Sequence, residues 1–100
     1  EQAWAAVQDA AMASTHAGLA ALQAAGAMPP DQIGFELQDE TGGVCAEAEL
    51  AWSSCSAVLL LEHQAEYVPQ WQAAGWTVIE YHDGWAEQVL ALLNKTKDMQ

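Results

Sequence analysis

A chain of 100 residues with 52% hydrophobic content and five tryptophans can bury one core but not two, which excludes a disordered chain. Fourteen acids face two bases, Lys95 and Lys97, for a formal charge of −12, and arginine is absent. Nucleic acids and anionic membranes are held mainly through Lys and Arg, so the composition excludes direct nucleic-acid binding by this chain alone and attachment to a membrane surface.

No apolar run approaches the ~18 residues of a membrane span. The Ala-rich start lacks a basic n-region and carries Gln2, Asp9 and His16, unlike a signal peptide. Opening on Glu1 rather than Met points to a piece of a longer protein or to a restarted numbering. Residues 2–25 are expected to form one helix, with Trp4, Val7, Ala11, Gly18, Leu19 and Leu22 on one stripe and alanine filling much of the rest. Gly26 suits the position past its end, and Pro29-Pro30 forbids continuation. The expected layout is an N-terminal Ala-rich helix over 1–28 and an α/β core over 29–97.

Ile33, Phe35 and Leu37 alternate with Gly34, Glu36 and Gln38, the period of a half-buried strand. "DETGG" reads as a hairpin turn. Val44, Ala46, Ala48 and Leu50 are then expected on one side, with Glu47 and Glu49 on the other. After a turn at Ser53-Ser54, "CSAVLLLE" is apolar on both faces, as in a central strand. A short helix near 66–74 tolerates Pro69 only near its first turn and closes on Gly75. A buried strand over 76–81 and a last helix from Trp85 to Lys95 follow, with Asp83 as the expected cap and Lys95 and Lys97 at the end its dipole favours.

The order is αβββαβα, giving an α/β fold with a mixed four-stranded sheet and flanking helices. Strands 1 to 3 form an antiparallel meander, and strand 4 lies parallel to strand 3 across a helical crossover. Glu62-His63 and Glu80-x-His82 fall just past the carboxyl ends of the two parallel strands, the edge where open α/β sheets bind ligands. His63 and His82, with Glu62 and Asp83, could ligate a transition metal there, or could merely end the strands. Glu36, Glu47 and Glu49 read either as a metal face or as a solvated face of an antiparallel sheet. Cys45 and Cys55 lack metal or disulfide spacing and are expected to be reduced and half-buried. Trp52, in a turn, is the tryptophan expected to be exposed for a partner.

The α-β-β-β-α-β order, with "AELAW", "SAVLLLEHQ" and "WQAAGWTVIE", resembles the restriction-endonuclease-like (PD-(D/E)xK) fold. More specifically, it looks like the very-short-patch-repair (Vsr-like) endonuclease domains. Similar stretches occur in the tail domain of some bacterial DEAD/DEAH-box helicases of DNA repair and phage defence. The resemblance covers roughly residues 33 to 93. It implies that Glu49 stands in the place of the metal-binding aspartate, and Glu62 and His63 in that of the polar motif closing strand 3. Glu36 or Asp9 would replace the helix-borne acid. Mg²⁺ would take hard oxygen ligands from Glu49 and Glu62 and activate a water.

The sequence departs from the pattern in two ways. No lysine occurs before Lys95, so Gln64 stands where the (D/E)xK lysine would be, and Glu49 is one methylene longer than aspartate. The expectation is therefore a catalytically degenerate, cytoplasmic accessory module of a DNA-processing protein. It would contact other domains or subunits through Trp52, the acids Glu36 and Glu47, or the Ala-rich helix. The alternatives are a Mg²⁺-dependent DNA endonuclease whose DNA-binding surface lies elsewhere, and an acidic DNA mimic.

Overall fold

The computed structural model describes residues 2–98, with side chains over 4–95; Glu1 and the Lys97 side chain lie outside that description. Helices α1 (Gln2–Ala10) and α2 (His16–Ala24) precede strands β1 (Gln32–Gln38), β2 (Val44–Trp52) and β3 (Ala57–Leu60). Helix α3 (Val68–Ala73), strand β4 (Thr77–Glu80) and helix α4 (Trp85–Asp98) complete the chain, with 3-10 turns at Ala13–Thr15, Ser53–Cys55 and Glu62–Tyr67. The sheet order is β1-β2-β3-β4. β1 and β3 run antiparallel to β2, and β4 runs parallel to β3 with Leu60 opposite Glu80. The mixed sheet is the one the alternation and the two apolar runs lead one to expect.

Both faces of the sheet are covered. On one, Trp4, Val7, Leu19 and Leu22 of α1 and α2 join Trp85 and Val89 of α4 over Leu50, Trp52, Leu59 and Ile79. On the other, Trp71 of α3 lies on Ala46, Ala48, Ala51, Val58 and Leu60. Its ring meets Phe35 at 5.5 Å and Trp76 at 5.6 Å between centroids. The alanines of β2 leave the depth that these three rings fill. The N-terminal helices thus share their core with the sheet.

Two expectations fail, and the failures are linked. The first helix is broken: Met12 is extended at φ −65° and ψ 146°, between α1 and α2. Its amide, with no helical carbonyl to bond, donates to Glu49 Oε2 at 2.9 Å. Thr15, fully buried, donates its hydroxyl to the Met12 carbonyl at 2.7 Å. Ser and Thr serve the backbone in this way outside regular helix, which is why they weaken helix interiors. Alanine content hid the break.

The second failure concerns the side of β2. Ile33 pairs with Leu50 and Phe35 with Ala48. Ile33 and Leu50 pack beneath α1 and α2, whereas Phe35 and Ala48 pack beneath α3. Both strands therefore exchange faces between these pairs, where Gly34 sits at φ +64°. Glycine alone adopts that angle without strain. Glu49, next to the exchange, is buried beneath the break between α1 and α2, whereas Glu47 is exposed.

Turns are fixed by side chains. The Asp39 carboxylate accepts from the Thr41 amide at 2.9 Å and the Gly43 amide at 3.1 Å, closing the β1–β2 hairpin. The Thr41 hydroxyl, also bonded to it, leads those amides in holding the Asp39 carboxyl below its ordinary value. Asp31 accepts from the Ser53 amide at 2.8 Å and the Ser53 hydroxyl at 2.6 Å. Burial pushes the Asp31 carboxyl up, but the bonds from Ser53 together outweigh it and leave it below the usual range.

Candidate functional site

Leu60 ends β3, and Tyr81, just past β4, donates its amide to the Leu60 carbonyl at 2.9 Å. Beyond that bond the chain leaves the two parallel strands in different directions: into the 3-10 turn Glu62–Tyr67, and through Asp83 and Gly84 to α4. A notch of about 150 Å³ opens between them, lined by Leu60, Leu61, Glu62, Ala65, Glu80 and Tyr81. Its position is the expected one for an α/β sheet, outside the carboxyl ends of parallel strands. Leu60 and Leu61 are themselves buried, while Glu62 and Glu80 are exposed at the rim.

The acids and amides marked by the resemblance take up different roles. Glu49 is 7% exposed and engaged with the Met12 amide. Gln64, buried, turns back so that its side-chain Oε1 accepts from the Leu61 backbone amide at 3.0 Å while its backbone N–H donates to the Leu61 carbonyl at 2.8 Å. That reciprocal pair caps the 3-10 turn, which accounts for a glutamine at this place on structural grounds alone. His63 is exposed. Of the four candidate catalytic positions, only Glu62 lines the notch.

The two acids that the resemblance marks for Mg²⁺ have different surroundings: Glu49 is buried against the Met12 amide, whereas Glu62 is exposed at the notch. Mg²⁺ needs near-octahedral oxygen coordination. Glu49 already spends one carboxylate oxygen on a backbone amide, and among the described residues no three His, Cys, Asp or Glu side chains are grouped to hold a metal ion. His82 has other work: its Nδ1 accepts from the Gly84 amide at 3.0 Å, leaving Nε2 to carry the proton and donate to Gln88 Oε1 at 2.5 Å. The hydrogen bonds that organise the start of α4 therefore come from His82, where Asp83 was the expected cap.

Trp52 is not the exposed anchor its turn position leads one to expect. It is 1% exposed, and its Nε1 donates to the Met28 carbonyl at 3.1 Å. The turn follows Trp52 rather than containing it, and the ring shares the side of Leu50 in the core beneath α1 and α2. Glu36 and Glu47 are exposed and stand directly opposite each other across β1 and β2. Asp9 is exposed on α1. Cys45 and Cys55 are free and half-buried. Burial, helped by the Asp31 charge, pushes the Cys55 thiol up, which keeps it protonated and unreactive.

Tyr81 and Ala65 went unmarked in the sequence, where strand 4 was expected to run through Tyr81; it ends at Glu80. Tyr81 donates its hydroxyl to the Ser14 carbonyl at 2.9 Å, a contact between residues 67 apart that no local pattern reveals. No family model matches the chain, and no curated protein or solved structure gives a match.

Proposed function

We propose that this chain is a catalytically degenerate nuclease-fold module of a cytoplasmic DNA-processing protein and acts by contacting other domains or subunits. The observation that carries the reading is the use made of Glu49. The acid in the metal position holds a backbone amide of the break between α1 and α2, and so serves the fold. Gln64, at the lysine's place, caps a turn in the same structural way. Two free thiols are in keeping with a reducing compartment. A charge of −12 leaves the chain unable to hold DNA unaided.

The test is a cleavage assay of the chain on supercoiled plasmid, linear duplex and single strands with Mg²⁺ or Mn²⁺. Intact substrates are expected at every metal concentration. Cleavage that disappears in Glu49→Gln or Glu62→Gln would overturn the reading in favour of a working endonuclease.

A further inference from the structure

We propose that His82 is a proton-operated latch on the start of α4, closed by the neutral ring and released when the ring is protonated. The residue lies between β4 and α4 and serves the helix start through three groups. Its carbonyl accepts from the Trp85 amide at 3.1 Å, and its Nδ1 accepts from the Gly84 amide at 3.0 Å. Its Nε2 donates to Gln88 Oε1, one turn into the helix. The first amides of a helix have no carbonyl of their own to bond, so His82 supplies acceptors that α4 lacks. An amide can only donate, so the bond from Gly84 requires an unprotonated Nδ1. Protonation fills that lone pair, sets two donors face to face and places a cation at the positive end of the helix dipole. Histidine ordinarily changes charge between about pH 5 and 8.

The ring is exposed, so the proton comes directly from solvent. The ionisable groups on the elements around it are Glu80 at the end of β4, Tyr81 and Asp83 on either side of it, Glu87 in the first turn of α4, and Glu62 across the notch. The carboxylates among them give an imidazolium somewhere to turn once it leaves the Gly84 amide. His16, at the start of α2 beyond the bond from Tyr81 to Ser14, differs: its Nε2 meets the Ala11 carbonyl, which only accepts, so that bond survives protonation. What the latch holds is Trp85, 3% exposed and set against Gly18 of α2. Release therefore loosens the first turn of α4 and its seat on α2.

The experiment follows the ¹⁵N-labelled chain by NMR from about pH 8 to about pH 5.5, with the His82 ring shifts fixing its midpoint. The Gly84 amide shift is expected to titrate at that midpoint. The Gln88 amide, which donates to the Gly84 carbonyl, should lose about threefold to tenfold of its protection against hydrogen exchange, corrected for the intrinsic rate. That is the size expected of one net hydrogen bond. His82→Asn offers an uncharged oxygen that accepts from the amide two residues on, and should keep the protection at every pH. His82→Ala, its dispersed spectrum confirming the fold, should show the released state throughout. A Gly84 shift and Gln88 protection that stay flat through the His82 midpoint would overturn the latch. So would an equal pH response in His82→Asn, or full Gln88 protection in His82→Ala at the alkaline end.

Discussion

Glu49 shows how one side chain can look catalytic and be structural. Its carboxylate replaces the helical carbonyl that the Met12 amide would otherwise bond. Truncation should therefore remove a part-buried hydrogen bond, at a cost of about 0.5–1.5 kcal/mol. Glu49→Gln keeps an acceptor oxygen of the same reach and should cost less. Urea melts of the two variants check this, and equal losses would mean that the charge matters more than the hydrogen bond. That an unusual acid sits at position 49 was legible in the sequence. Its role was not, because the amide it holds, that of Met12, lies 37 residues away in the sequence.

At the scale of elements, β3 and the crossover were the most legible parts. Four consecutive buried residues, Ala57 to Leu60, admit a central strand, and Pro69 near the start of α3 with Gly75 at φ +93° after it brackets a short helix. The first helix was the least legible, since alanine is as content in one long helix as in two short ones and the break is set by Glu49 and Thr15. The contact between α2 and α4 was also hidden. Gly18 looks like a blemish in a helix, yet a Cβ placed there would stand 2.3 Å from Cζ2 of Trp85. Helix propensity favours alanine over glycine by about 1 kcal/mol, but overpacking a core contact costs about 1–3 kcal/mol. Gly18→Ala should thus be destabilising overall, by on the order of 1 kcal/mol, with a change in Trp85 fluorescence. A stabilised variant would show that Trp85 moves aside freely.

The whole molecule is compact, with a radius of gyration of 13.1 Å, while carrying 14 acids and two bases. Self-repulsion at that charge opposes the compact state, and the facing Glu36 and Glu47 add a local like-charge pair across the hairpin. Raising NaCl from about 20 mM to about 500 mM shortens the screening length from roughly 20 Å to a few ångströms. The melting temperature should rise over that range by several degrees, as scanning calorimetry would register; a flat or falling dependence would mean that favourable charge pairs dominate. The long-range ties at the break between α1 and α2 also set an order of events in synthesis. Met12 waits for Glu49, Ser14 waits for Tyr81, and Trp4 and Val7 wait for Ile79, Trp85 and Val89. A ribosome delivers α1 and α2 before the strands and helices they pack on, so they stay unsettled until β4 and α4 have followed them out.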